Sequence, residues 1–350
     1  MKLLFHLGHP AHFHLFKNTI LKLKSLGHDV DVLIKKKDIL ENLIRDSGIE
    51  YSNILPEGRK DSKIGLLLGM IKRDLRLLKF CLSKRPQLLV GTSIEIGHVG
   101  TLLGIPSLNV NEDDADVVPL YAKISYPFST KIVSPRVCNN GQWESKSIKY
   151  EGYHELAYLH PEHFEASREI ASRYVDLDKP IFLIRFAKLN AHHDEGVRGI
   201  SNDLAKKVVD LLKQHGQVYI TSERPLNQEL ESYRLPVDPL DIHHVMAFAS
   251  LYIGDSQTMA AESGVLGVPF VRFNDFVGRI GYLDELENTY ELGFGIKPDN
   301  EEKLIQKLEF LMDTKDLKIE FQRRRAKMLE DKINVADFLL SLILGFNDNK

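Results

Sequence analysis

Residues 242–273 contain a polar turn whose residue types can bind a phosphate group at a helix N-terminus. A short apolar run ends at Asp255, and Ser256, Gln257 and Thr258 follow where a helical pattern begins. Asp and Ser are favoured N-cap residues, and a helix N-terminus offers unpaired N–H groups and about half a positive charge. The turn is therefore typical of either simple helix capping or a phosphate site, and the local sequence alone favours capping.

A carboxylate further along the same helical pattern indicates a second part of a ligand. Glu262 lies seven residues after Asp255, which places it about two helical turns away. A carboxylate at that distance could accept hydrogen bonds from both hydroxyls of a ribose while a diphosphate lies at the helix N-terminus. The two features together are compatible with a nucleotide diphosphate.

Histidines near the start of the chain could carry acid–base chemistry. His6, His9, His12 and His14 all lie within the first fourteen residues. A neutral imidazole near pH 7 suits the removal of a proton from a hydroxyl group. A metal site is the alternative, but no carboxylate or cysteine is interleaved and His6 lies within a predicted strand, so we expect no metal.

Short apolar runs alternate with helical patterns and would position these residues. Strands are predicted at 2–7, 28–34, 87–91 and 106–110, with helices at 15–26 and 93–104. Residues 127–162 show little periodicity, and a second series then places strands at 180–186, 217–222, 251–255 and 269–273, with a helix near 199–214. This succession predicts βαβ units in mostly parallel sheets, which bind ligands at the carboxyl ends of their strands.

Composition excludes several classes of protein. The 350 residues are 43% hydrophobic and 27% charged, a composition that excludes a disordered chain. The formal net charge is −3, so the chain lacks the excess of basic residues that is typical of nucleic-acid-binding proteins. Two cysteines cannot form a disulfide framework, so a reducing compartment is expected. The start lacks the long apolar region of a signal peptide, and no run of about 18 apolar residues occurs. We expect a cytoplasmic protein.

Two helical segments carry many basic residues. Residues 64–84 mix large apolar side chains with Lys and Arg, which predicts a helix that covers the sheet while its cationic side chains reach water. The alternative is peripheral contact with an anionic membrane on its cytoplasmic face. The stretch 315–346 is also predicted to be helical, and its basic run at 323–325 is interpreted as a solvated helix face.

The order of elements around the polar turn resembles the C-terminal half of GT-B enzymes. A strand, Asp255-Ser256, a short turn, a helix with Glu262 and then Leu-Gly-Val-Pro are similar to the hydrolysing UDP-N-acetylglucosamine 2-epimerases and the MurG-type glycosyltransferases. The resemblance implies that Ser256 and Gln257 contact a nucleotide diphosphate and that Glu262 binds the ribose. Arg272 matches an arginine of the epimerase pattern, but Gln257 and Thr258 stand where that pattern has two glycines.

Arg185 would assist this donor site from a neighbouring strand. It lies near the end of the strand at 180–186 and could clamp a phosphate with two parallel hydrogen bonds. His192, His193 and Asp194 follow on the same loop, with surface histidines and a capping role for Asp194 as the alternative. Residues 221–223 follow the next strand and could contact the base or ribose.

The N-terminal half has the strand, glycine loop, helix and Gly-His layout that opens many GT-B proteins. Gly8 lies in this loop and is expected to contact the nucleotide sugar, and His12 matches the loop histidine of the MurG-type enzymes. The resemblance implies that His12 acts as general base or holds the acceptor, with His9 as the nearby alternative.

Acidic residues follow strands of the same half. Residues 91–114 resemble the fourth and fifth strands of the GT-B N-terminal half, which implies that Glu95, Glu112, Asp113 and Asp114 lie on loops that face the ligand. Glu112 or Asp113 could serve as a second acid or base, and a solvated loop is the alternative.

The resemblance extends over most of the chain and leads to a prediction of fold and function. The linker at 150–162 is similar to that of an uncharacterised prokaryotic family allied to the GT-B superfamily. We therefore expect two Rossmann-like, doubly wound parallel-sheet domains facing across a cleft, at 1–155 and 156–330. The last residues, 331–350, should form a helix that packs back on the N-terminal domain.

The expected function is that of a metal-independent glycosyltransferase without a cofactor. Its donor would be a nucleotide-diphosphate sugar, UDP-linked, and its acceptor a sugar, a lipid-linked sugar or a polysaccharide of the cell envelope. A sugar-nucleotide epimerase is the first alternative, and a non-catalytic scaffold that binds a nucleotide or polysaccharide is the second. The oligomeric state stays open between a monomer and a homodimer.

Overall fold

The computed structural model describes residues 1–35, 39–56, 63–187 and 198–346. The chain divides into two compact units. Unit 1 comprises Met1–Tyr158 and Ile333–Lys350, and unit 2 comprises Leu159–Lys332. The sequence placed this division near residue 155 and assigned the last helix to the first domain.

Unit 1 is built on a parallel sheet, which has seven strands within the described residues. They are β1 (Lys2–Leu7), β2 (Asp29–Lys35), β3 (Ser52–Leu55), β4 (Leu88–Gly91), β5 (Ser107–Val110), β6 (Lys131–Pro135) and β7 (Ser147–Tyr150). Their order is β3-β2-β1-β4-β5-β6-β7. The chain therefore leaves β1 and β4 in opposite directions, which creates a switch point where loops diverge at the carboxyl ends of these strands.

The two strands at the switch point pack closely. Gly91 on β4 pairs with His6 on β1, and a Cβ atom at Gly91 would collide with the carbonyl oxygen of His6. Only glycine therefore fits at the end of β4. Beneath this end, the apolar side chains of Leu4, Leu33 and Leu89 form part of a fully buried core.

The helices of unit 1 cover the sheet. They are α1 (Pro10–Ser25), α2 (Leu40–Asp46), α3 (Lys63–Lys84), α4 (Ile94–Leu103), α5 (Pro119–Ser125) and, after unit 2, α14 (Val335–Gly345); two short 3₁₀ helices span Gly141–Lys146 and His154–Ala157. Helix α14 packs against α1, where the Thr19 hydroxyl donates to the carbonyl oxygen of Ala336 at 3.3 Å. The rings of Tyr150 and Phe338 also lie 5.1 Å apart, so α14 is part of the core of unit 1.

Unit 2 is built on a parallel sheet, which has five strands within the part of the chain that is described. They are β8 (Ile181–Phe186), β9 (Gln217–Ser222), β10 (Leu251–Gly254), β11 (Phe270–Phe273) and β12 (Gly293–Ile296), in the order β12-β11-β10-β8-β9. One face is covered by α7 (Asn202–Leu212), whose Leu204, Val208 and Leu212 are buried at the spacing of one helix face. The sheet again has its switch point between neighbouring strands, here β8 and β10.

The other helices of unit 2 complete its two layers. They are α6 (Arg168–Ala171), α8 (Gln228–Glu231), α9 (Ile242–Phe248), α10 (Gln257–Val265), α11 (Gly281–Asn288), α12 (Glu301–Asp313) and α13 (Leu317–Asp331). The stretch 315–346, predicted to be helical, contains two helices, because Asn334 caps a new helix through its side-chain oxygen.

The basic run on α13 is only partly a solvated face. Arg323 is exposed and pairs with Glu320, but the Nε of Arg325 donates to the carbonyl oxygen of Val265 at 2.7 Å. Gln322 donates in the same way to Leu266 and Gly267. These side chains satisfy carbonyl groups at the C-terminal end of α10, which a helix otherwise leaves without partners, so the interpretation of the whole run as solvated was wrong.

The predicted fold class is confirmed, since both units are α/β layers around parallel sheets. Residues 127–162 differ from the expectation of an irregular stretch, because they contain β6 and β7. Among the described residues, none of the helices is long and apolar enough to cross a membrane.

Candidate functional site

The first candidate site lies at the N-terminus of α10 in unit 2. Strand β10 ends at Gly254, and Ser256 is the N-cap residue, whose Oγ accepts from the N–H of Met259 at 3.4 Å. Gln257 and Thr258 are the first two helical residues, so their N–H groups have no acceptor within the helix. Capping and anion binding are therefore compatible here, because two amides stay available after Ser256 has satisfied a third.

Asp255 holds the turn through two main-chain hydrogen bonds. Its side chain is buried, and its two carboxylate oxygens accept from the N–H groups of Ala187 at 2.6 Å and Ile200 at 3.4 Å. Burial raises the pKa of Asp255 to about 6. Since Ala187 follows β8, Asp255 connects the loop after that strand to the start of α10, and its expected contact with a nucleotide sugar stays a prediction. His192, His193 and Asp194 lie outside the described residues.

Glu262 is buried and bonded to a residue that the sequence did not single out. Its Oε1 lies 2.9 Å from Nε2 of His243 on α9, and both side chains are less than one-tenth exposed. A neutral His243 must carry its proton on Nε2 to donate to this carboxylate. The pair fixes the orientation of Glu262, and the predicted contact with a ribose stays a prediction. The sequence feature that could have identified His243 is a pair of adjacent histidines within an apolar helical pattern.

The two arginines predicted for this site differ in accessibility. Arg185, which is paired in register with Gly254 on β10, donates from Nη2 to Glu223 beyond β9 and remains partly exposed. Arg272 on β11 is fully enclosed, and its Nε donates to Glu287 on α11 at 2.9 Å. Burial raises the pKa of Glu287. The structure therefore places Arg272 in an internal ion pair, and its expected contact with a nucleotide sugar stays a prediction.

The second candidate site lies at the switch point of unit 1. The N–H of Gly8, just after β1, donates to Nδ1 of His12 at 3.1 Å, and His9 caps α1 by accepting from the N–H of Ala11. A Cβ atom at Gly8 would lie 2.8 Å from Cε of Lys35. A larger residue at this position would require the flexible end of the Lys35 side chain to move.

The hydrogen bond to Gly8 determines the tautomer of His12. Burial lowers the pKa of His12 well below its ordinary value, and the nearby His9, Lys35 and His154 lower it further, so the ring is neutral. Because Nδ1 accepts a hydrogen bond, the single proton of the neutral ring is on Nε2. His12 thus offers a donor at Nε2, and it could act as a base only after exchanging its bond to Gly8.

Glu112 and His154 form a pair near His12. Glu112 follows β5, its Oε1 lies 3.4 Å from Nδ1 of His154, and its Oε2 accepts from the N–H of the same residue at 3.1 Å. Burial lowers the pKa of His154 to about 3, so the imidazole is neutral and Glu112 remains a half-buried carboxylate. Asp113 is also half-buried, and its carbonyl oxygen accepts from Asn111. His154 was missed because it lies 42 positions from Glu112.

Two of the acidic residues expected on ligand-facing loops are instead internal. Glu95, in the first turn of α4, is buried and accepts from Arg73 on α3. Asp114 is buried and accepts from the N–H of Asn139 at 2.6 Å. Their carboxylates fix local structure, so the expectation that they face a ligand was wrong.

Glu95 belongs to a buried polar cluster beneath the Gly8 loop. His6 lies 2.7 Å from the Ser93 hydroxyl through Nδ1, and Oε2 of Glu95 is 3.8 Å from the same nitrogen. Burial lowers the pKa of His6 to about 4. Burial alone would raise the pKa of Glu95, but the neighbouring His6, Lys35 and Arg73 bring it to about 2. Within the described ranges, no group of three or more His, Cys, Asp or Glu side chains is arranged to hold a metal ion.

Comparison with known proteins identifies the fold independently. The family model described as "Protein of unknown function (DUF354)" matches residues 1–285. The chain matches no curated protein significantly. It is similar to solved structures over nearly its whole length, and three of these represent the range of proteins found.

The three structures are a UDP-GlcNAc 2-epimerase, a protein in complex with UDP and a rhamnosyltransferase. The UDP-GlcNAc 2-epimerase from Neisseria meningitidis, bound to UDP-GlcNAc, is 14% identical, with 99% of this chain and 100% of that chain covered and a TM-score of 0.67. MnaA from S. aureus in complex with UDP is 11% identical, with 99% and 97% covered and a TM-score of 0.70. The spinosyn rhamnosyltransferase SpnG with its aglycone is 11% identical, with 99% and 100% covered and a TM-score of 0.63.

These likenesses confirm the resemblance that the polar turn and the N-terminal loop indicated. At such low identity they establish the architecture, which is that of the GT-B proteins. The similar structures include both UDP-GlcNAc 2-epimerases and glycosyltransferases.

Proposed function

Because the chain belongs to the DUF354 family and has the GT-B fold, we propose that it is a glycosyltransferase with a nucleotide-diphosphate sugar as donor. The observation that carries this proposal is the N-terminus of α10, where Gln257 and Thr258 have amides without an acceptor in the helix. These amides lie at the carboxyl end of β10, next to the switch point of the sheet of unit 2. A diphosphate is the ligand that best matches paired amides and a helix dipole.

In the donor site, main-chain amides bind the leaving group. The diphosphate would accept from Gln257 and Thr258, and the charge that develops as the sugar departs would be stabilised by fixed dipoles, without a metal ion. Glu262, oriented by its bond to His243, would accept from the ribose hydroxyls. A uridine base is supported by UDP and UDP-GlcNAc in the similar structures.

In the proposed acceptor site, one residue holds the acceptor and another accepts its proton. His12 would hold the acceptor hydroxyl with its Nε2–H, since Nδ1 is engaged by Gly8. Glu112 is the candidate base, because its half-buried carboxyl group lies beside a histidine that stays neutral. In the reaction, the acceptor oxygen would bond to the anomeric carbon, the bond from that carbon to the diphosphate would break, and the proton would pass to Glu112.

Asp113 and His9 are the second candidates for these two roles, because they lie next to Glu112 and close to His12. The acceptor would be a sugar, a lipid-linked sugar or a polysaccharide of the cell envelope. The oligomeric state stays open, and the absence of a cofactor stays a prediction.

Ligand binding is tested by thermal unfolding with UDP, TDP and their sugar conjugates. A nucleotide at about 100 times its dissociation constant should add about 2.7 kcal/mol to the free energy of unfolding. Glu262→Ala should abolish most of this gain, whereas Glu229→Ala, which removes a carboxylate from the exposed surface of the same unit, should leave it intact. If no nucleotide stabilises the parent protein, the proposal is overturned.

A sugar-nucleotide epimerase is the second candidate, favoured by the similar epimerase structures. Proton NMR with UDP-GlcNAc separates the two activities, because epimerisation proceeds without an acceptor whereas transfer requires one. If the nucleotide binds tightly and no sugar is altered across a broad set of acceptors, both catalytic proposals fail and a non-catalytic binding role remains.

A further inference from the structure

Helix α3 has an apolar face that the described part of unit 1 does not cover. Leu68, Ile71, Leu75 and Leu82 are 61%, 44%, 60% and 59% exposed. Their separations of three, four and seven residues place them along one side of the helix. We call this set the α3 stripe.

The α3 stripe is distinct from the side of the helix that packs on the sheet. Leu77 and Cys81 on the opposite side are buried in the core with Leu4 and Leu89. The prediction that this helix covers the sheet therefore accounts for one side only. Four large apolar side chains on a second side exceed the scattered single residues that a surface normally exposes.

The charged residues of α3 that lie directly beside the stripe are lysines. Lys72 and Lys79 are exposed, and on a helical wheel they lie directly beside Leu68 and Leu75. The one acidic residue in the sequence of α3, Asp74, projects to another side and lies 3.0 Å from Nδ1 of His98 on α4. The exposed surface thus combines an apolar strip with a cationic edge and no carboxylate from its own helix.

We propose that unit 1 binds an anionic lipid bilayer through the α3 stripe. Large apolar side chains with lysines at their edge are the pattern of a helix that lies in the membrane interface, and the lysines would meet negative headgroups. A second copy of the chain is less suitable, because a two-fold contact through this surface would bring the lysine edges of both copies together. The inference rests on unit 1 alone and is independent of the proposed donor site.

The test uses the full chain and vesicles of defined composition. Binding is measured by co-sedimentation with phosphatidylcholine vesicles and with vesicles in which a quarter of the lipid is phosphatidylglycerol. The protein should bind the anionic vesicles and leave the neutral ones, and binding should weaken as salt screens the lysines. Because a basic residue near such a surface contributes about 1 kcal/mol, Lys72→Gln with Lys79→Gln should weaken binding about 30-fold.

Matched variants separate the α3 stripe from general surface effects. Leu75→Gln with Leu82→Gln should abolish sedimentation with vesicles while the melting temperature stays unchanged, because both side chains are exposed. Phe310→Gln with Ile319→Gln removes side chains that are 60% and 69% exposed in unit 2, and it should leave binding as in the parent protein. Lys22→Gln with Lys303→Gln is the corresponding control for charge, because both lysines are exposed, and it should leave binding as in the parent protein.

Four outcomes would overturn the proposal. The first is that the parent protein fails to bind anionic vesicles, and the second is that it binds neutral vesicles equally well. The third is that the Leu75 and Leu82 variant binds like the parent. The fourth is that sedimentation velocity shows a dimer which this variant dissociates, because the occupant of the α3 stripe is then a second copy of the chain.

Discussion

Replacing Gln257 by proline removes one main-chain N–H from the proposed diphosphate site without requiring a different fold. Gln257 is the first residue of α10, a position where proline is favoured because its N–H has no partner in the helix. The preceding Ser256 has φ −81° and ψ 127°, which is the extended conformation that a residue before proline adopts. The substitution is therefore compatible with the local backbone.

The size of the effect follows from the hydrogen bond that is lost. A hydrogen bond to a charged group contributes about 1.5–3 kcal/mol, so Gln257→Pro should weaken UDP binding about 10- to 150-fold. Stability should stay equal or rise by up to about 1 kcal/mol, because proline restricts the unfolded chain. Isothermal titration calorimetry with UDP measures the first quantity, and thermal unfolding without ligand measures the second.

Two controls separate the amide from other effects of this substitution. Gln257→Ala removes the side chain and keeps the N–H, so its UDP affinity should stay close to that of the parent. Asn202→Pro places proline at the first position of α7, where Ser201 is likewise an extended N-cap, and it should leave UDP affinity unchanged. If Gln257→Pro folds normally and binds UDP within about twofold of Gln257→Ala, the reasoning that this amide contacts the diphosphate is refuted.

Three further predictions concern unit 1. In His12→Gln the side-chain amide can donate from nearly the position of Nε2, so the rate of sugar transfer should be largely retained. In His12→Ala the rate should fall sharply. If steady-state assays show an equal loss of activity in both variants, His12 is the base. Glu95→Gln leaves the buried Arg73 without a compensating charge and should cost about 3–5 kcal/mol in urea unfolding, whereas an unchanged midpoint would contradict the ion pair. Burial holds the pKa of His6 at about 4 and that of His154 at about 3. The unfolded chain therefore takes up protons below pH 6.5 that the folded chain does not, and the free energy of unfolding should fall as the pH drops from about 6.5 to about 4; the double substitution of both histidines by Gln should flatten this dependence.

The order of elements could be predicted from sequence because buried parallel strands are apolar runs of characteristic length. Strands β1, β8 and β9 begin and end within a residue or so of their predicted bounds. Strands β3, β6, β7 and β12 were not predicted. In β7, the sequence SIKY has mixed polarity and lacks the apolar run that marks a buried strand. Helix α1 begins five residues before its predicted start, because His9 is an uncommon N-cap and only Pro10 marked the first helical position.

The candidate sites were predictable where the chemistry is local and unpredictable where it depends on distant partners. Ser256 as an N-cap follows from four consecutive residues. The state of Glu262 depends instead on His243 from another helix, and that of Arg272 on Glu287. Hydrophobic periodicity indicates which side chains are buried, but it contains no information on which polar groups contact each other inside the fold. Those contacts decide whether a charged residue can reach a ligand.

The packing of α14 against α1 has a consequence for the way the protein is made. During translation, all of unit 2 leaves the ribosome before α14, although most of unit 1 has emerged earlier still. Until α14 arrives, the nascent first unit lacks the apolar cover supplied by Val335, Leu339 and Ile343. Unit 2 is one continuous segment of the chain, so it can fold completely while unit 1 still lacks α14. The unit that is synthesised first is therefore the unit that is completed last.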